Sequence, residues 1–472
     1  MSGLSSISQL LPMGILLFSW IFFMPLCSSF FGMHVALVSG ECLSDGRVCL
    51  EDEMLLLLQL KSTLKFNADA SNKLVSWNQS ADCCSWGGVT WDATGHVVAL
   101  DLSSEFISGG FYSSSSIFSL QYLQSLNLAN NTFFSSEIPS GFDKLGNLTY
   151  LNLSKAGFSG QIPIEISRLT RLVTIDISSF NDLFGTPTPK LEQPKLRMLV
   201  QNLKELRELH LDGVDISAQG KEWCQALSSS VPNLRVLSLS RCFLSGPIDS
   251  SLVKLRSLSV VHLNYNNFTA PVPDFLANFS NLTSLSLSFC RLYGTFPENI
   301  FQVPALQILD LSNNQLLWGA LLEFPQGGSL RTLVLSDTNF LGHMPNSIGK
   351  LEMLSWKELA HCNFSGPIPS SIANLTQLLY LDLSSNGFTG SIPSFRSSKN
   401  LSHINLSHNY FTGQIISHHW EGLLNLVNLD LHHNLLHGGL PLSLFSVGLR
   451  FKHLCRIYIL GCWNTIFIDE EC

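Results

Sequence analysis

Eight of the chain's 14 histidines fall between His361 and His437, with adjacent pairs at His418/His419 and His432/His433. Imidazoles are the usual material of metal sites, proton relays and pH switches. Twelve cysteines offer thiolate nucleophiles, zinc ligands or disulfides. Lys357, in "LSWKELAHC", is an amine placed where a core residue belongs, and burial there makes it snorkel or shed its proton. None of these residues is framed by a catalytic phrase. The chain contains no G-x-S-x-G, no H-E-x-x-H, no phosphate-cradling glycine loop and no kinase signature. Cys455, Cys462 and Cys472 lack zinc-ligand spacing, and the neighbouring histidines of "SHHW" read as solvated loop residues. The expectation is a binding scaffold rather than an enzyme, with no metal and no cofactor.

The elements that must hold these side chains emerge when the chain is aligned on itself. The middle apolar residue of an L-x-x-L-x-L-x-x-N/C phrase recurs at 100, 126, 151, 175, 209, 237, 261, 285, 309, 333, 357, 381, 404 and 429, in steps of 24 from 237 to 381. That period predicts an α/β leucine-rich-repeat solenoid, a curved parallel sheet of about fourteen short strands. In "LYLDLSSNGFTGSIP", Leu381 and Leu383 point inward while Tyr380, Asp382 and Ser384 alternate outward. Asn386 stands at the turn out of the strand, where its amide reaches the backbone of adjacent coils. Cys242, Cys290 and Cys362 take that place in three repeats and read as small buried thiols. Cys224, on the extra segment "GKEWCQALSSSVPNL", is expected to bridge to Cys242. The 34-residue step between Ile175 and Leu209 contains "TPTP" and reads as an excursion over about 178–205.

Outward positions beside the inward leucines form candidate binding rows on the concave face. One row runs Arg241, Tyr265, Phe289, Asn313, Asp337, His361, Ser385, His408 and His433, so that His408 and His433 should be neighbours. A second includes Trp356, Tyr380 and His403, read as exposed aromatic interface anchors.

The setting is extracellular. Residues 1–40 contain no Asp, Glu, Lys or Arg and carry the apolar block "GILLFSWIFFMPL", the layout of a signal peptide, with an uncleaved signal anchor as the competing reading. Sequons at Asn78, Asn130, Asn147, Asn267, Asn278, Asn281, Asn363, Asn374 and Asn400 predict a glycosylated surface; Asn152 and Asn405 are sequons on the strands themselves. A net charge of −8 gives no broad positive field for nucleic acid.

The phrases "GFTGSIP", "GFSGQIP" and "NFSGPIP" resemble the plant-specific leucine-rich repeat, in which Gly-x-Ile-Pro starts a second extended segment. The segment "CLEDEMLLLLQLKSTL … SNKLVSWNQSADCCSWGGVTW" is similar to the N-terminal cap of plant receptor-like proteins of the wilt-resistance type. The resemblance covers residues 42–446 and implies a cap over 41–96, a solenoid over 97–446, and an extracellular receptor anchored in the plasma membrane. It also implies a peptide, protein or glycan ligand and signalling through partner receptor kinases in immunity or development. The alternative is a secreted inhibitor of microbial cell-wall-degrading enzymes.

Three departures stand out. Trp91 occupies the place of a cap cysteine, so Cys42, Cys49, Cys83 and Cys84 would form two bridges, with Cys42 pairing either Cys83 or Cys84. Lys357 stands where thirteen other repeats have Leu, Ile or Val. Residues 447–472 break the repeat without supplying a spanning helix, which reads as a tail foreign to the solenoid on a truncated copy that would be secreted and soluble as translated.

Overall fold

A computed structural model describes residues 49–134, 136–179 and 188–438 and the strand Ile457–Tyr458. Fourteen three-to-five-residue strands, from Val97–Asp101 to Asn428–Asp430, sit on the predicted period in one parallel sheet. Two further strands bring that sheet to sixteen. At one end Val89–Trp91 pairs antiparallel with Val97–Asp101; at the other Ile457–Tyr458 pairs in parallel with Asn428–Asp430. Part of the supposed foreign tail therefore continues the sheet, and the rest lies outside the described residues. Register never slips in the repeat: Leu237, Val261, Leu285, Leu309, Leu333, Lys357 and Leu381 face one another along a single inward line. A one-residue shift would turn each of these side chains to water, which explains why the register is fixed.

Behind the strand most coils return through a 3₁₀ turn, and Pro139, Pro163, Pro273, Pro297, Pro345 and Pro369 each stand immediately before one. The fixed proline φ suits that entry, and the missing N–H costs nothing there. Between strand and turn, the Gly-x-Ile-Pro phrases form a second parallel sheet. Its longest run joins Leu341–His343, Asn363–Pro367, Gly387–Gly390, Tyr410–Gln414 and Leu435–His437. Stacked phenylalanines support it from inside, with Phe364, Phe388 and Phe411 at centroid separations of 6.1 and 6.2 Å.

The asparagines lock coil to coil. Asn266 Nδ2 donates to the carbonyls of Leu239 and Leu263, both at 2.8 Å, while its Oδ1 accepts from the amides of Cys242 and Leu244 at 3.1 and 3.0 Å. Where cysteine replaces asparagine, the thiol supplies one donor only: Cys242, Cys290 and Cys362 donate to Leu211, Leu263 and Leu335 at 3.0, 3.1 and 3.2 Å. The expected Cys224–Cys242 bridge is absent, and both are separate buried thiols. Helix Gly220–Ser230 turns Cys224 into the core beside Trp223 and Leu227, and burial pushes its thiol up to about 12. The described part of the excursion packs on the solenoid. Pro189–Lys190 pairs with Gly160–Gln161, and helix Leu196–Val200 buries Leu196, Leu199 and Val200.

In the cap, Cys49 and Cys83 form the disulfide, with Cα atoms 6.4 Å apart. Cys84 Sγ lies 4.0 Å from Cys49 Sγ, and Cys42 lies outside the described residues. The cysteine-to-tryptophan departure is accommodated by packing: Trp91 is buried and its Nε1 donates to Cys83 O at 3.1 Å.

Lys357 is fully buried, and its Nζ donates to Met344 Sδ at 3.1 Å. Burial lowers its pKa to about 7. Neighbouring Glu358 faces the other way and is pushed up to about 7 by burial and by Asp382 and Asp310.

Two outcomes are expected. Asn266→Ala leaves the Leu239 carbonyl and the amides of Cys242 and Leu244 without that partner, while the Leu263 carbonyl keeps Cys290 Sγ, and should cost about 3 kcal/mol in equilibrium urea unfolding, whereas Asn314→Cys, which keeps one bond, should cost less than Asn314→Ala. For Lys357, the unfolded chain binds the extra proton between its folded value and the ordinary lysine value, so stability should rise with pH from about 7 to about 10. Glu358 has the opposite sign below pH 7, its contribution falling as pH rises from about 4.5 to about 7. Lys357→Met should raise the melting temperature and remove the alkaline arm alone; Glu358→Gln should remove the acid arm alone.

Candidate functional site

The residue before each ladder asparagine or cysteine sits in the left-handed region. In the candidate row, Arg241, Tyr265, Phe289, Asn313, Asp337, His361, Ser385, His408 and His433 all have φ between 51° and 58°. Ser104, Asn130 and Lys155 continue the row toward the cap with φ of 59°, 56° and 55°. Such a conformation costs an ordinary residue on the order of 1 kcal/mol and persists only where surroundings enforce it. Here the row residue's own amide holds it by donating to the next coil, as Arg241 N does to Asn264 O and Tyr265 N to Ser288 O, both at 2.8 Å, and the turn aims each side chain along the concave edge of the sheet.

Neighbouring members of the row touch. The Arg241 guanidinium lies over the Tyr265 ring, 4.3 Å from its centroid, and Tyr265 stacks on Phe289 at 4.4 Å with an interplanar angle of 9°. His408 and His433 are neighbours as expected, with centroids 4.4 Å apart. His361 is exposed between the half-buried Asp337 and Ser385. The second row also forms a stack: Trp356 and Tyr380 lie 4.1 Å apart at 5°, and His403 follows at 5.8 Å. Trp356 differs from expectation, since this stacking leaves it only 9% exposed and makes Tyr380 the accessible ring.

Between these rows runs a lane of carboxylates that sequence reasoning did not single out. Asp310, Glu358 and Asp382 occupy the outward position just after the inward residue, and burial raises all three. Serines hold them: Asp310 accepts from Ser312 Oγ at 2.7 Å and Ser286 Oγ at 3.1 Å. Nearer the cap, Asp212 accepts from Ser238 Oγ at 2.8 Å and is likewise raised by burial. Glu208 and His210 approach to 3.9 Å; burial pulls His210 down, but Glu208, Asp176 and Asp212 outweigh it and leave it raised. A signal for this lane lies in the repeat, where the same strand position reads Asp or Glu at 101, 176, 310, 358, 382 and 430.

Of the sequons, Asn78, Asn267, Asn278, Asn281, Asn363, Asn374 and Asn400 are exposed, and Asn147 is half-buried with its amide donating to Gln121 O at 2.8 Å. Asn130 is exposed but belongs to the recognition row itself. Asn152 and Asn405 are engaged on the strands, the latter donating to Asp382 Oδ2 at 3.1 Å. In the cap, Cys49, Asp82, Cys83 and Cys84 cluster, but the disulfide consumes two of the three thiols. Among the described residues no helix is long and apolar enough to cross a membrane.

Comparison with known proteins agrees with this architecture. Residues 114–327 match a leucine-rich repeat region, residues 50–90 a leucine rich repeat N-terminal domain, and residues 329–351, 377–397 and 400–420 single leucine-rich repeats. Receptor-like protein 6 of Arabidopsis thaliana is 35% identical over 298 residues, which is 59% of this chain and 28% of that protein. Receptor-like protein Cf-9 of Solanum pimpinellifolium is 33% identical over 235 residues, 46% of this chain and 26% of that protein. The chain thus spans less than a third of the length of these curated relatives. Among solved structures, a TDR receptor matches with a TM-score of 0.63 at 28% identity, covering 77% of this chain and 61% of that one. With its repeats, its cap and its relatives in agreement, the chain belongs to the plant leucine-rich-repeat receptor-like proteins.

Proposed function

We propose that the chain is an extracellular ligand-recognition ectodomain whose concave face reads a peptide or protein segment, in immune perception, with partner receptor kinases relaying the signal. The observation that carries this reading is the pair of ordered stacks on that face, Arg241–Tyr265–Phe289 and Trp356–Tyr380, with carboxylates Asp310, Glu358 and Asp382 nearby. Aromatic rings held rigid before binding lose little entropy on contact and are the usual anchors of protein interfaces. The carboxylate lane favours a ligand bearing lysine or arginine, which gains both charge complementarity and ring contact. The receptor-like relatives support the recognition role, and the wilt-resistance resemblance supports the immune setting.

The test is binding of the secreted chain to synthetic peptides of basic, neutral and acidic composition, to cell-wall oligosaccharides, to a plant co-receptor kinase ectodomain and to a fungal polygalacturonase. Basic aromatic peptides should bind best. Tyr265→Ala with Phe289→Ala should weaken that binding by about 2 kcal/mol, roughly thirtyfold, with little change in melting temperature. Selective capture of the polygalacturonase, unaffected by these substitutions, would replace this reading with that of a secreted enzyme inhibitor.

A further inference from the structure

At the last repeat before residue 439, three imidazoles converge. His408 follows the strand His403–Asn405, and His432 and His433 follow the adjacent strand Asn428–Asp430. The two turns are pinned together, His408 N donating to His432 O at 3.0 Å and Asn409 N to His433 O at 3.2 Å. The Nε2 atoms of His408 and His432 face each other at 3.0 Å, and one ring nitrogen from each of the three histidines lies within 4.8 Å of the others. The rings are splayed rather than stacked flat: His432 stands at 80° to His408 and 61° to His433. Asp430 takes the Nδ1 side of His432, which fixes the tautomer and leaves the Nε2 lone pair turned toward His408.

We infer that His408, His432 and His433 form a binding site for a divalent transition-metal ion of the zinc class, with Asp430 as the positioning residue behind His432. Two nitrogens each about 2.0–2.1 Å from a tetrahedral zinc are separated by slightly more than the present Nε2–Nε2 distance, so a small outward shift of two exposed or half-exposed rings admits the ion. A carboxylate on the far nitrogen of a ligating histidine is the recurrent outer-shell arrangement of zinc sites, where it orients the ring and raises its basicity. Three neutral nitrogens select zinc, copper or nickel over the oxygen-seeking calcium and magnesium. The fourth position faces solvent and is available to water or to a donor group from a bound partner. Repeat spacing alone does not point to this site, because His432 stands where most repeats carry serine and the histidine row supplies only two ligands.

The experiment uses the secreted chain purified without a polyhistidine tag and stripped with chelator. Calorimetric titration with Zn²⁺ should show one saturable site per chain, Co²⁺ should give the visible absorption of a four-coordinate centre, and Ca²⁺ and Mg²⁺ should give neither. Zn²⁺ should also raise the melting temperature, because it binds only the folded turns. His408→Gln and His432→Gln should each abolish the site, and Asp430→Asn should weaken it about 10- to 100-fold without changing stoichiometry. His418→Gln with His419→Gln should leave it intact. Should His432→Gln fail to fold, the loss or retention of Zn²⁺ by His408→Gln decides the matter. Absence of a stoichiometric site in the parent chain, or full binding retained by His408→Gln, overturns the assignment.

Discussion

The buried amide of the turn asparagine is the interaction on which the solenoid depends. A coil of this kind turns its backbone inward at the end of every strand, and the carbonyls and amides it buries there cannot reach water. Asn131, Asn266, Asn314, Asn386, Asn409 and Asn434 each donate to a carbonyl of the preceding coil and to one of their own. Each also accepts an amide of the preceding coil. Leaving such groups unmet costs about 1–3 kcal/mol apiece, and where Ala156, Val214 or Cys242 takes the position instead, strand pairing and core packing keep the coils in register. The residue just before that position is left-handed whether asparagine, cysteine or Ala156 follows it, because its own amide donates to the next coil, as from Lys155 to Ser178 O at 2.7 Å and from Asp337 to Ala360 O at 3.0 Å. Core satisfaction and the geometry of the binding row therefore meet at the same turn.

Much of this was legible in the sequence because a solenoid is nearly one-dimensional: once the period is found, every inward leucine, every turn asparagine and every outward row follows by addition. Tyr265 beside Phe289, and His408 beside His433, were predictable for that reason. What escaped was whatever depends on depth rather than position. Trp356 was placed on the correct row, but the sequence could not show that Tyr380 would cover it. Cys224 and Cys242 lie in consecutive coils, yet a helix face and a turn each drew its thiol into separate core packing. The cap departs in the same manner. Trp91 compensates for a missing cysteine by filling volume and by one bond to Cys83, a solution that cysteine counting does not reveal.

Charge is distributed along the face in sections. The middle coils carry Arg241 with the aromatic stack, the next carry the buried carboxylates Asp310, Glu358 and Asp382, and the last described coils carry histidine. Within the carboxylate section Lys357 lies on the opposite side of the same strand, fully buried, and does not neutralise the lane. The repeat containing it therefore holds a depressed amine inside and raised acids outside, a local weakness in a sheet that is otherwise apolar within.

The positive φ of the recognition row restricts which residues can stand in it. Branching at Cβ is disfavoured in that conformation and proline cannot reach it. The row accordingly reads Ser104, Asn130, Lys155, Gly213, Arg241, Tyr265, Phe289, Asn313, Asp337, His361, Ser385, His408 and His433, with no valine, isoleucine, threonine or proline. Recognition along this line is written in a reduced alphabet, one that spells in rings, amides and charges and has no letters for branched aliphatic contact. Substituting one letter changes what is read without altering the page, because backbone bonds to the next coil, and not the side chain itself, set the fold of the turn.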